Sequence, residues 1–293
     1  MEDKTNFIEP RVNFDYRLTH SENVFFDLFG HLSGDAWTET LVASIDNKNI
    51  DGLEFPSFPP NELQSQIHGH AGAHSIREAS AFYALACDWG VAGPEASAYR
   101  KGKMLDFGSG WGRIVRPFMR DFPLKNIIGF EPDNRHCAIA RANNPFVSFV
   151  SGSHEPPTVF NSATFDLIEG WSVFSHLSET SMCNWLGEFG RITKIGGYIL
   201  MTTWGMRFLT RLLEEQKNLE NGQDIHWYSK LCLQGAGDLH HRIERFTAGD
   251  FVWFDTGGSN SYGETFLSQT ALERMLKEND LPLTLECTET VLT

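Results

Sequence analysis

No stretch of this sequence approaches the run of about 18 apolar residues that a membrane-spanning helix needs. The opening Met1-Glu2-Asp3-Lys4 has no basic start leading into an apolar segment, so neither membrane insertion nor export is expected. Cysteine is scarce as well. Cys87, Cys137, Cys183, Cys232 and Cys287 are an odd number, far apart, with no C-x-x-C spacing. That argues against a disulfide framework or a zinc ribbon and for reduced thiols in a cytoplasmic protein. Positive charge is in deficit: 24 Lys and Arg face 38 Asp and Glu, a formal charge of −14. A surface of that sign repels phosphate backbones and anionic lipid, so duplex nucleic acid is not an expected partner.

What is present suffices for a sizeable core: 293 residues, 41% apolar and 13% aromatic. Residues 1 to about 66 show little periodicity and carry the Pro-rich piece Phe55-Pro56-Ser57-Phe58-Pro59-Pro60, so irregular or short helical structure is expected there. Ser75-Ile76-Arg77-Glu78 has capping-box spacing, and Ile76, Ala79, Phe82, Tyr83, Ala86 and Trp89 follow at helical intervals, predicting a helix over 75–89. Residues 1–90 are thus expected to form an N-terminal extension and helical cover, and 91–293 the main domain.

From Lys103 the alternation is regular. Strands are expected at 103–107, 126–131, 146–150, 165–169 and 198–202. Helices are expected at about 112–122, stopping at Pro123, at 133–143 behind Asp133, and after Ser178, where Met182, Trp185, Leu186, Phe189 and Ile192 share a face. Such alternation implies right-handed crossovers and an α/β fold, a Rossmann-like doubly wound, mostly parallel sheet with helices on both faces. Beyond Trp204 a helix at 208–219, another at 270–277 and a strand near 283–291 are expected. The stretch 221–262 is long for a connection, so 205–262 reads as a functional insertion.

The chemistry sits in Asp106-Phe107-Gly108-Ser109-Gly110-Trp111-Gly112-Arg113, at the carboxyl end of the first strand, where doubly wound sheets bind ligands. Glycines there let backbone approach a nucleotide-like cofactor. The spacing is not the G-x-G-x-x-G of dinucleotide binders, because the third glycine comes one residue early, and no G-K-[ST] follows for a phosphate loop. Glu131 ends the second strand, 23 residues after Gly108, where a carboxylate can accept hydrogen bonds from both ribose hydroxyls.

Residues 105–204 resemble a class I S-adenosylmethionine-dependent methyltransferase. The likeness is carried by Leu105 through Arg113, Gly129-Phe130-Glu131, Phe165-Asp166-Leu167-Ile168, Ser172-Val173-Phe174-Ser175-His176-Leu177 and Gly196-Gly197-Tyr198. Ile76-Arg77-Glu78-Ala79 and Tyr262-Gly263-Glu264 resemble a subgroup that accompanies glycan or secondary-metabolite assembly. The resemblance implies S-adenosylmethionine as cofactor, with Asp106 orienting the glycine loop and reaching toward the methionine amino group. Gly108, Ser109, Gly110 and Trp111 would shape the loop, and Glu131 with Pro132 would hold the ribose. Glu169, Gly170 and Trp171 would face the methionine end and the acceptor. The acidic residue often found after the third strand is missing from Ser151-Gly152-Ser153-His154-Glu155, leaving Ser153 or His154 as adenine contacts. The family also implies a lid over residues 66–80. It implies two closing antiparallel strands as well, of which 283–291 supplies one; the other lies within 251–266 or outside this sequence.

Methyl transfer to an alcohol needs an aligned nucleophile and a base. His176 is the first candidate base, with a structural or capping role as its alternative, and His226, His240, His241 and Glu264 are the others. Trp227, Tyr228, Trp253 and Phe254 either stack on a sugar or aromatic acceptor or pack in the core. His68-Gly69-His70 with His74 lacks an accompanying carboxylate and the H-E-x-x-H context, so no metal is expected. The expected activity is O-methylation of a sugar, glycan or other small polar acceptor. The rival readings are an RNA or protein methyltransferase and a non-catalytic cofactor-binding or interaction module.

Overall fold

The computed structural model describes residues 23–93, 96, 101–256 and 262–288. Asn23 and Ser33 each accept a backbone N–H with their side chains and so start α1 (Val24–Phe29) and α2 (Gly34–Ala43). A short antiparallel hairpin, β1 (Asn49–Ile50) and β2 (Leu53–Glu54), then leads to α3 (Asn61–His68) and α4 (Gly72–Asp88). Phe25, Phe29, Trp37 and Phe55 interlock in this cover with ring centroids 5.1 to 6.2 Å apart. Their core is continuous with Met104, Ile127 and Leu167 of the sheet.

The capping box expected at Ser75 does not form. The helix α4 begins three residues earlier, at Gly72, whose N–H donates to the buried Gln64 Oε1 at 3.1 Å. That anchor sets the turn out of α3, so Ser75 falls inside the helix and Glu78 is released to meet Arg113.

The main sheet follows. Its strands are β3 (Met104–Phe107), β4 (Ile127–Phe130), β5 (Ser148–Val150), β6 (Phe165–Gly170) and β7 (Thr193–Met201). They lie in the order β5-β4-β3-β6-β7, every neighbouring pair parallel. The order reverses on either side of β3, and a crevice opens beyond the carboxyl ends of strands at such a switch point. The crossovers carry α5 (Val115–Phe118), α6 (Asn134–Asn143) and α7 (Glu179–Ile192). Asp133 and Ser178 cap the latter two, as their spacing predicts. The helix expected at 112–122 shrinks to the four residues of α5. Pro117 has no N–H to continue an α-helical ladder, and the bonds around it, such as Met119 N–H to Arg116 C=O, reach back only three residues.

Two buried arginines of this segment fasten the cover. Arg116 donates to the Pro56 and Ser57 carbonyls and to Asn144, and Arg120 to Tyr83 and the Leu32 carbonyl.

Past β7 come α8 (Met206–Glu220), α9 (Trp227–Ala236), α10 (Leu239–Thr247), the antiparallel pair β8 (Val252–Asp255) and β9 (Gly263–Phe266), and α11 (Gln269–Glu278). Strand β9 crosses the carboxyl end of the sheet. Its Gly263 and Thr265 N–H groups donate to the His176 and Ser175 carbonyls at 2.7 Å each, the Thr265 carbonyl on the same edge accepts from the Trp204 N–H, and the other edge pairs with β8. The strand expected at 283–291 is not formed over 283–288; residues 289–293 lie outside the described residues. Leu281, Leu283 and Leu285 spend their apolar side chains against the core built on α7, and Pro282 sits over Gly190. The antiparallel strands of the C-terminal part are β8 and β9.

Candidate functional site

The glycine loop closes the end of β3. Gly108 and Gly112 have φ of +76° and +82°, a region L side chains rarely enter. A Cβ on Gly108 would lie 2.4 Å from Val173 Cγ2, and one on Gly112 would meet Asn144 Nδ2 at 2.7 Å and Phe149 Cζ at 2.8 Å. The Gly108 and Ser109 N–H groups both donate to the Phe130 carbonyl, tying the loop to β4. Glu131, just past β4 and 8% exposed, accepts from the Gly110 N–H at 2.8 Å and the Asp133 N–H at 2.9 Å. Each carboxylate oxygen keeps a second lone pair for a ligand hydroxyl.

The end of α3 covers this loop. Ile67 Cγ2 lies 3.3 Å from the position of a Cβ on Gly110, and the Trp111 indole N–H donates to His68 Nε2 at 2.7 Å. Burial, with Arg113 nearby, lowers the His68 pKa from 6.5 to about 3, so the ring stays a neutral acceptor. The His70 and His74 rings meet at a tilt of 59°, centroids 4.2 Å apart. Among the described residues no three His, Cys, Asp or Glu side chains are placed to hold a metal.

Beneath the loop, Asp106 and Glu169 are register partners on β3 and β6, 1% and 0% exposed. Burial raises both carboxyls; the mutual contact drives Glu169 further up, while Arg113 pulls both back. Arg113 is itself committed to a part-buried ion pair with Glu78 of α4. The Trp171 ring packs on Phe82 of α4, centroids 4.9 Å apart. A nucleoside carrying an ammonium fits this donor set. Glu131 offers acceptors for hydroxyls, the glycines leave room for the chain to approach, and buried carboxylate oxygens of Asp106 and Glu169 have no other hydrogen-bonding partner.

A second group forms where β9 crosses the site. His176 Nδ1 lies 2.9 Å from the Gly263 carbonyl and 3.6 Å from Glu264 Oε1, and its ring stacks on Tyr262 at 4.9 Å and 17°. A carbonyl only accepts, so Nδ1 carries a proton, and in the neutral ring the lone pair is on Nε2. Glu264 is 2% exposed and accepts from Trp204 Nε1 at 2.7 Å and the Tyr228 hydroxyl at 2.8 Å. Desolvation of the partly covered ring, with Glu264 and Glu131 adding to it, raises the Tyr262 phenol to about 12.

The remaining predicted residues are placed elsewhere. His226 caps α9 through Nδ1, and His240 and His241 occupy the exposed first turn of α10. The Pro132 carbonyl accepts from Ser151, Ser153 and His154 are exposed beyond β5, and the His154 carbonyl accepts from Trp185. Ser109 Oγ is buried toward Gly129 of β4, and Gly170 packs on Phe174. Trp227 is exposed, Phe254 is core, and Trp253 Nε1 lies 3.4 Å from the His176 carbonyl. Sequence reasoning missed Trp204 and the Arg113–Glu78 pair. The out-of-pattern arginine after the third glycine is the signal that could have found the pair; Trp204 leaves none.

Residues 86–285 match a family profile described as a methyltransferase domain. No curated protein matches. Among solved structures the chain is similar to the YcgJ protein of Bacillus subtilis (18% identity, 47% of this chain and 58% of that one, TM-score 0.37). It is also similar to the PH0226 protein of Pyrococcus horikoshii (19%, 63% and 76%, 0.42) and to a putative methyltransferase of Bacillus halodurans (16%, 63% and 65%, 0.40). The chain thus spans about three fifths of the length of the YcgJ structure.

Proposed function

The chain belongs to the class I methyltransferase-domain family, whose cofactor is S-adenosylmethionine, and from that premise we propose that it methylates an oxygen of a sugar, glycan or other small polar acceptor. The observation that carries the acceptor atom is His176, held by the Gly263 carbonyl in the form that leaves Nε2 free to take a proton. Nitrogen and carbon nucleophiles that are already basic need no such group, whereas an alcohol must lose its proton as the C–O bond forms.

S-adenosylmethionine supplies a methyl group already activated on a sulfonium, so in-line displacement needs mainly alignment. Glu131 takes the ribose hydroxyls, and the loop from Gly108 to Gly112 sets the backbone against the cofactor. His176 Nε2 accepts the acceptor's proton. Glu264, fixed by Trp204 and Tyr228, offsets the positive charge that develops on the imidazole. Tyr262, stacked on His176, offers an aromatic face for a sugar or phenol.

The reading includes a cytoplasmic setting and no duplex nucleic acid partner, supported by the −14 formal charge and five free cysteines. Among the described residues no helix is long and apolar enough to cross a membrane. The test is mass detection of methyl transfer onto a panel of sugars and phenols. Transfer confined to nitrogen acceptors or nucleic acid rejects the proposal.

A further inference from the structure

Among the described residues, four other than glycine have a left-handed backbone: Asp51, Ala163, Ser172 and Asp280. Asp51 turns the β1–β2 hairpin, Ala163 precedes β6 and Asp280 follows α11. Ser172, with φ +57°, is the one at the carboxyl ends of the parallel strands, two residues past β6. Glycine enters that region freely, whereas a strained side chain persists there only where its surroundings hold it, and such residues gather at functional sites. The surroundings of Ser172 do hold it. Its N–H donates at 2.8 Å to Oγ1 of Thr202, just past β7, whose own N–H donates to the Gly170 carbonyl. On one side Trp171 packs on Phe82, and on the other Val173 fills the space beside Gly108. The His176 N–H donates to the Val173 carbonyl at 3.0 Å, closing a turn that brings Ser172 and His176 to one mouth of the crevice. Two residues beyond Thr202, the Trp204 indole reaches Glu264 beside His176. Ser172 is exposed, and its hydroxyl makes no hydrogen bond among the described residues.

We propose that Ser172 determines which alcohol is methylated: together with Thr202 it binds the hydroxyl next to the reacting one, so the favoured acceptor carries two neighbouring hydroxyls, as a sugar ring does. The inference rests on the alcohol acceptor proposed above. The reacting hydroxyl gives its proton to His176 Nε2 as its oxygen takes the methyl group. Its neighbour keeps its O–H bond and only exchanges water for protein. Ser172 Oγ can donate or accept, and Thr202 Oγ1, which accepts from the Ser172 N–H, still has a proton to give. Two contacts on adjacent oxygens fix the ring's rotation, which one contact leaves free, and so align a single oxygen with the methyl group. An analogue without the second hydroxyl leaves the Ser172 and Thr202 hydroxyls unmatched, the arrangement by which polar sites reject such analogues.

The test measures kcat/KM for methyl transfer to acceptors in matched pairs: methyl glycosides of common hexoses beside their analogues deoxygenated next to the methylated position, and catechol beside phenol. The protein is expected to favour the diol of a pair by about 10-fold or more. Ser172→Ala removes only the hydroxyl. It is expected to bring that preference to within about twofold by slowing the diol, with S-adenosylhomocysteine affinity changed by less than about twofold. Ser172→Gly, which enters the left-handed region without strain, is expected to lose the same preference and controls for any backbone shift in the alanine variant. No preference for diols, a preference that survives both substitutions, equal losses on diol and deoxy acceptors, or a matching loss of S-adenosylhomocysteine binding each overturns the proposal and leaves alcohol methylation standing. Absence of transfer to every alcohol overturns both.

Discussion

The indole N–H of Trp111, in the glycine loop, donates to Nε2 of His68 at the end of α3, 2.7 Å away. This bond ties the N-terminal cover to the cofactor loop, and it requires an unprotonated ring. Folding holds the His68 pKa at about 3 against an ordinary 6.5, so the unfolded chain binds a proton that the folded chain refuses. Stability from this site is complete above about pH 6.5 and is lost progressively as pH falls toward 3. By NMR the His68 imidazole signals are expected to stay fixed between about pH 4 and 8. A midpoint near 6.5 for His68 would show that the bond is absent in solution.

Glu131 ties together the glycine loop and the turn into α6 by accepting the Gly110 and Asp133 N–H groups. Glu131→Ala removes these charge-assisted bonds and the proposed ribose acceptor. S-adenosylhomocysteine affinity is expected to fall by about 10- to 100-fold, since a hydrogen bond to a charged group contributes about 1.5–3 kcal/mol. Calorimetry reads this directly, and unchanged affinity would remove Glu131 from the binding site.

His176→Ala is expected to lower kcat on the preferred alcohol acceptor by about 10²- to 10⁴-fold while leaving S-adenosylhomocysteine binding within about twofold. Equal loss of cofactor binding would instead assign the ring a structural role beside Gly263.

Glu264→Leu takes the acceptor from the part-buried Trp204 indole N–H and Tyr228 hydroxyl. Each orphaned donor costs about 1–3 kcal/mol, so urea unfolding is expected to show a loss of about 2–5 kcal/mol. Glu264→Gln keeps an acceptor oxygen and is expected to lose less than half as much.

Gly112→Ala forces a left-handed residue and drives a methyl group into Asn144 and Phe149. A destabilisation of about 2–4 kcal/mol is expected, combining backbone strain with overpacking. Gly52→Ala has a similar φ of +82° but nothing within 4 Å, so only the backbone contribution of about 1 kcal/mol should appear. Equal losses in the two variants would mean that the space around Gly112 is not tight.

Local chemistry made much of this protein legible in its sequence. Alternating β-branched and aromatic runs, caps such as Asp133 and Ser178, and the spacing of Gly108, Gly110 and Gly112 depend on residues within a few positions of one another. They determined the order of the parallel strands' crossovers and the end of the sheet at which the loop lies. Where neighbours in space outweighed neighbours in sequence, the expectations failed. Gln64 moved the start of α4 away from Ser75, and the leucines after residue 280 packed on α7 without forming a strand; the shortening of α5 at Pro117 was a local signal present in the sequence. Only the tertiary structure set Glu169 against Asp106, Arg113 against Glu78, and Glu264 beside His176, 88 residues away. Such pairs arise from strand register and from β9 crossing the sheet end. The burial that shifts their protons is a property of the packed interior, which no short stretch of sequence contains.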